Sequence, residues 1–415
     1  MGAIKDIFSP KTTLRSPRPV EIPTPPPPPP FVTPTTVSIL EGSRGMWTSL
    51  SGRFLRDLCS CSTCCNASTK QKQTNVLRMG AKETTIMAAK ELPNENVQVI
   101  FEDGHRSVFT RPQLTHRTIA RTHRNRNGIV VPRTTWTAAT ISPAPPRIQY
   151  SAVHSSSSPG MGALTLALRT HGLVFIDNTP ITPSATQYLL ELIGPIRNTH
   201  YGGFYDFTSD LSSKDTAYTS EALDPHTDNT YFTEPAGLQA LHMLSHTDGS
   251  GGLSALVDGN AAAEQLHALD PRAYEILSTT GVHAHASGNE GVSIQPSQAF
   301  PTIAHHALFG GIKRIRWNTA DRAGVAATSH KEMEEWYDAA AKFDAILSDK
   351  ANQYWFQLEP GTTLIFDNWR VLHARSAFTG KRRMCGGYIN RDDFISRFRS
   401  TNLTEGERGE STVTG

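Results

Sequence analysis

Asp224-Pro225-His226-Thr227-Asp228-Asn229-Thr230-Tyr231-Phe232 is the stretch on which the reading of this chain turns. In an extended strand, side chains at i and i+2 share a face. An imidazole at 226 and a carboxylate at 228 can therefore hold one divalent ion between them. A second histidine from a distant segment would complete the 2-His-1-carboxylate set, which leaves coordination positions open on iron(II). The aromatic pair that follows suits the start of a strand. The chain holds 16 His, and the same tripeptide recurs as His246-Thr247-Asp248. That copy runs into Gly249-Ser250-Gly251-Gly252 and reads as a turn with solvated side chains. Spacing alone leaves His226 and Asp228 open between metal ligands and ordinary polar residues, so other segments have to decide.

A chain of 415 residues allows two or three domains. With 40 Lys+Arg against 38 Asp+Glu, no bulk attraction to nucleic acid or anionic membrane is implied. No apolar run reaches the length of a spanning helix, and no secretory h-region opens the sequence. Four of the 5 Cys lie between 59 and 65. That clustering reads as metal ligation in a reducing, intracellular compartment rather than as a disulfide framework.

Composition divides the chain. Residues 1–36 carry the run Pro25 to Pro30 and read as a disordered or polyproline leader. Its Lys and Arg residues hint at organelle targeting, while Asp6 and Glu21 speak against it. Residues 37–115 read as a small, separate domain with a strand at Val97 to Phe101. Three thiolates and a later histidine make a tetrahedral Cys3His zinc set. Spacing does not fix which three of the four thiols take part; Cys59, Cys61 and Cys64 with His105 are preferred. Residues 116–160, rich in Arg, Thr, Ser and Pro, read as a linker, and without aromatic interleaving their charge does not signal nucleic-acid binding. Residues 161–400 turn globular, and 401–415 form a tail. Short strands are expected at 173–176, 238–244, 254–257, 312–317, 363–366 and 384–389, and helices at 164–170, 184–193, 261–267, 271–279 and 331–347. Many short strands with Gly-rich turns predict a mainly β core, closed or sandwiched, with flanking helices.

The distant histidine is supplied by Asp367-Asn368-Trp369-Arg370-Val371-Leu372-His373. His373 follows a strand and a turn, and Arg382 heads the apolar strand after it. A guanidinium beside a metal site suits a carboxylate ligand, to which it offers paired hydrogen bonds. Read singly, His373 could equally be a structural histidine and Arg382 a surface ion pair.

Taken together, His226-x-Asp228 … His373 … Arg382 resembles the iron(II)- and 2-oxoglutarate-dependent oxygenases. The resemblance is closest to the branch of trimethyllysine and γ-butyrobetaine dioxygenases. It extends over Leu55-Arg56-Asp57-x-Cys59-x-Cys61-x-x-Cys64, Ala217-Tyr218-Thr219, Leu256-Val257-Asp258-Gly259 and Arg391-Asp392-Asp393. It implies a double-stranded β-helix (jelly-roll) catalytic domain behind a small zinc-binding β-rich domain. It also implies Fe(II) at His226, Asp228 and His373, and 2-oxoglutarate held by Arg382 with Arg375 as a second contact. Ascorbate is the implied reductant and a homodimer the implied assembly. Tyr201, Tyr205 and Tyr218 stand where this branch builds an aromatic cage for a quaternary ammonium, which has no N–H to donate and prefers aromatic faces. Asp215 stands beside them as a partner for an α-ammonium. The implied reaction is hydroxylation of Nε-trimethyllysine, the opening step of carnitine biosynthesis. γ-Butyrobetaine hydroxylation is the alternative. The branch implies a mitochondrial location, with the cytoplasm as alternative.

Overall fold

The computed structural model describes residues 29–41, 46–93, 96–115, 133–208, 219–306 and 310–410. The chain divides into two compact units, Met1–Thr118 and Ile119–Gly415.

The first unit is built from two three-stranded antiparallel sheets. One pairs Phe31–Val32, Thr36–Glu41 and Met46–Ser51; the other pairs Ile86–Glu91, Val97–Phe101 and Arg106–Phe109. Alternation does the sorting. Val97, Val99 and Phe101 point inward while Gln98 and Ile100 are only half-buried, as a pleat of period two requires. The inward residues meet Val37, Ile39, Leu50 and Leu55 in one core. The helix Gly52–Leu58 is capped by Ser51 Oγ, which accepts from Phe54 N at 3.2 Å, and it ends at Cys59. The expected leader therefore stops short of residue 36, because Phe31–Val32 already pairs with residues 37–38.

The second unit is mainly β with flanking helices. Its larger sheet runs in the order Arg147–Gln149, Leu173–Asp177, Thr362–Asp367, Leu238–Thr247, Lys381–Ile389, Tyr205–Thr208. Its smaller sheet runs Leu223–His226, Val371–Arg375, Ser254–Asp258, Tyr354–Phe356. All pairings are antiparallel except that of the first two strands of the larger sheet. Inner faces of the two sheets meet over Phe175, Met243, Leu256, Leu364, Phe366 and Val371. The next residues along the same strands turn outward. Val174, Ile176, Ala240 and Ile365 pack under the helices Pro159–His171, Pro183–Ile193 and Arg391–Asn402. Val257 and Leu372 pack under Gly259–Leu269, Pro271–Thr279 and His330–Ser348. Burial on both faces is why these strands read as apolar runs.

Two boundaries of this second unit also differ from expectation. Residues 133–160, read as the end of a linker, belong to this unit. Trp136 is buried and its indole donates to His171 O at 2.7 Å, and Arg147–Gln149 adds a parallel edge strand. Their Arg- and Pro-rich composition hid an edge strand of three residues, too short to show alternation. At the far end, Glu405–Glu410 is helical where a tail was expected. No helix among the described residues is long and apolar enough to cross a membrane.

Candidate active site

The register of the smaller sheet builds the site. His226 lies directly opposite His373 across the antiparallel pair, and Leu256 flanks His373 on its other side. His226 is the last strand residue, so Asp228 is placed by a turn and not by strand alternation as its spacing suggested. Asn229 then adopts the left-handed region with φ 61°, which Asn tolerates better than most residues. The turn is fixed by hydrogen bonds from afar. Thr227 N and Trp317 O are 2.7 Å apart, Asp228 N donates to Asn368 Oδ1 at 2.8 Å, and Asn368 Nδ2 returns to Asp228 O at 3.0 Å.

One ligand atom from each of His226, Asp228 and His373 falls within 4.8 Å of the others. Nε2 of His226 is 3.4 Å and Nε2 of His373 4.0 Å from Asp228 Oδ1. The tautomer of His226 follows from Nδ1, which donates to Asp224 O at 2.8 Å and leaves Nε2 with its lone pair toward the cluster. Burial, then His226 beside it, pushes His373 down to about 3, so its ring is neutral. Tyr388 donates its phenol to Asp228 Oδ2 at 2.7 Å and leaves Oδ1 facing the histidines. Burial opposes the charge of Asp228, but His373 and His226 hold its pKa below the usual carboxylate range. Two imidazole lone pairs and one carboxylate oxygen converging on a point fit an iron(II) ion with positions to spare.

The cluster opens onto a cavity of about 320 Å³ between the sheets. Arg382 and Tyr388 line it from the larger sheet, two inward positions of one strand. Arg382 is 1 % exposed. Among the described residues its Nε and Nη1 find no acceptor, and Nη2 reaches only Met384 Sδ at 3.7 Å. Gly252, at φ 66°, lets the chain pass against this guanidinium; a Cβ there would lie 3.1 Å from Arg382 Cζ. A buried guanidinium with idle donors facing a cavity is a ready carboxylate site. Arg375 also lines the cavity, but its Nη2 donates to Thr219 O and Glu221 O at 2.7 and 2.8 Å.

Tyr201 and Tyr205 stand in the cavity wall, the latter bonded to Ala240 O at 2.8 Å over Gly386, where any side chain would strike the ring. Tyr218 and Asp215 lie outside the described residues. The cavity also takes in Tyr231, Gln239, Asp321 and Tyr388, none of which was singled out as a site residue. Tyr388 was legible in principle, since it shares strand parity with Arg382. The second tripeptide is a solvated turn only in part. Asp248 is exposed beyond the strand end with φ 58°, as expected, but His246 is still within the strand Leu238–Thr247, its Nε2 donates to Thr379 O at 2.8 Å and its ring meets Phe378 edge-on.

In the first unit, Cys59, Cys61, Cys64 and His105 converge. Nε2 of His105 is 3.3, 3.8 and 3.6 Å from the three sulfurs. A zinc tetrahedron with ordinary Zn–S and Zn–N bonds has edges of about 3.6 Å. Cys65 turns away toward Asn66 O.

Comparison with known proteins identifies the family. Positions 133–388 match the model of the taurine catabolism dioxygenase TauD, TfdA family, and positions 40–114 match that of the γ-butyrobetaine hydroxylase-like N-terminal domain. The chain is 42 % identical over 398 residues to trimethyllysine dioxygenase of Neurospora crassa, covering 88 % of this chain and 83 % of that one. It is 37 % identical to the Meyerozyma guilliermondii enzyme of the same name, covering 88 % and 93 %, and 33 % identical to the human mitochondrial one, covering 84 % and 82 %. On this evidence the chain belongs to the TauD, TfdA dioxygenase family and, within it, to the trimethyllysine dioxygenases.

Proposed function

We propose that the chain hydroxylates Nε-trimethyllysine at C3, consuming dioxygen and 2-oxoglutarate and releasing succinate and carbon dioxide. The observation that carries this reading is Arg382, a buried guanidinium with idle donors sharing one cavity with His226, Asp228 and His373. In the proposal those three residues hold iron(II), which supplies oxygen activation coupled to decarboxylation of the cosubstrate. Arg382 binds the distal carboxylate of 2-oxoglutarate and so fixes its depth in the cavity. Asn368 and Tyr388 keep Asp228 turned to the histidines. Tyr201, Tyr205 and Tyr388 offer faces to the trimethylammonium, with Tyr218 and Asp215 as further contacts. The two sheets exclude water and present one C–H bond, in the setting expected of a double-stranded β-helix. Ascorbate serves as reductant, and the assembly is a homodimer. The Cys59, Cys61, Cys64 and His105 set holds a structural zinc, since four protein ligands leave no open position. The human relative is named mitochondrial, and the same compartment is proposed here.

Side-by-side turnover of trimethyllysine and γ-butyrobetaine tests the substrate. The expected result is a higher kcat/KM for trimethyllysine. Equal or reversed preference overturns the substrate while leaving the oxygenase reading in place.

A further inference from the structure

Behind the loop that braces Asp228, the described residues of the second unit bury more cations than anions. Residues 133–134, 169–172, 367–370 and 391 meet there in one knot. Thr134 N donates to Thr170 O and Asp367 N to Gly172 O, both at 2.8 Å. Arg370 donates to Thr170 O and Thr134 O at 2.8 and 2.6 Å. The knot contains two carboxylates, and each already has its guanidinium. Asp258 takes Arg370 through both oxygens at 3.0 and 2.7 Å, and Asp367 lies 2.8 Å from Arg391 Nη1.

Arg169 and Arg133 remain. Arg133 gives Nη1 to Ile312 O at 2.7 Å and is half-buried. Arg169 is 3 % exposed, and its Nε and Nη1 reach no acceptor. No carboxylate among the described residues pairs with it. Phe398 covers it at 5.7 Å, and burial, then Arg391 and Arg133, pushes its pKa down to about 9. His306 feels the same cations: burial, then Arg133, pushes it down to about 4. Asp393, the acid two residues beyond Arg391, takes Asn390 Nδ2 instead. Guanidinium does not shed its proton to escape burial, so among the described residues two cationic charges of the knot are left without a carboxylate of their own and call for a counter-ion.

We propose that this knot is a binding site for a small tetrahedral oxyanion of the phosphate class, held by Arg169 and Arg133. A dianion matches the two uncompensated charges, and its oxygens match the paired N–H donors of a guanidinium. The site adjoins Asp367, the neighbour of Asn368, so an occupant stiffens the loop that holds the backbone of Asp228.

The test is thermal melting of the full chain, dialysed free of phosphate and then titrated with inorganic phosphate at ionic strength held constant with chloride. A saturable rise of at least about 3 °C is expected. The rise persists in Arg382→Met, which separates it from the guanidinium of the cavity. It disappears in Arg169→Met. Without phosphate that variant melts at or above the wild-type temperature, because it removes an uncompensated buried charge. Arg133→Gln shifts the phosphate midpoint upward by about tenfold or more. No rise in the wild type, an equal rise in Arg169→Met, or a lower melting point for Arg169→Met without phosphate each overturns the proposal.

Discussion

The tripeptide His-Thr-Asp occurs twice and does two different things. Both copies end a strand, and both are followed or closed by a left-handed residue, Asn229 at φ 61° and Asp248 at φ 58°. Their local structure is nearly the same. What differs is the strand opposite. His226 faces His373, whereas His246 faces Arg382 after a bulge between Met243 and Ser245. One imidazole therefore joins a cluster that could hold a metal ion. The other packs on Phe378, the ring that also lies 4.8 Å under Arg382. Identical local sequence acquires its chemistry from its cross-strand neighbour.

The comparison breaks most sharply at the histidines. His226→Ala is expected to lower succinate release by about 10³-fold or more, since one of three ligands is lost, while His246→Ala stays within about threefold. Comparable losses in both would dissolve the distinction. Next in size is Arg382. Arg382→Met should raise KM for 2-oxoglutarate about 100-fold, the worth of a charge-assisted pair of hydrogen bonds. Arg375→Met should cost less because its Nη2 already serves two carbonyls; a larger effect at Arg375 would exchange their roles. Tyr388→Phe keeps the ring and removes the bond to Asp228. A loss of about tenfold in iron affinity, read by metal titration with activity as a second measure, is expected. An unchanged affinity would leave the phenol with no role in holding Asp228.

The Cys/His cluster extends the contrast to a four-ligand set beside a three-ligand one. Cys61→Ser, or chelation of zinc, should lower the melting temperature of the first unit, whose core holds only about ten buried apolar residues. Unaltered melting would refute a structural metal there.

The last effect concerns pH. His242, on the same strand as His246, is fully buried against Thr186, and burial pushes its pKa down to about 4. It is neutral in the fold, while the unfolded chain protonates it below about pH 6.5. Stability should therefore fall as pH drops from 6.5 toward 4, by on the order of 2 kcal/mol between pH 7 and 5. Urea melts of the wild type and His242→Leu at those two pH values check this. A wild-type curve as flat as the variant's would rule it out.

Periodicity alone made much of this molecule legible. The apolar runs at 173–176, 238–244 and 363–366 are strands because both of their faces are buried, and the helices at 271–279 and 331–347 lie within a residue of where capping and spacing put them. Residue types also marked the candidate donors, since imidazole, carboxylate and thiolate are the groups that hold such metals. The sequence by itself determined that much: which elements form, and which side chains have the chemistry. It could not determine that His226 registers against His373, or that Asp228 is set by Asn368 from 140 residues away. Nor could it show that Tyr388 shares a cavity with Arg382, or that Arg169 is buried with no carboxylate partner among the described residues. Those are consequences of strand order and register. Cross-strand neighbours are far apart in the chain, and only the packed sheets bring them together.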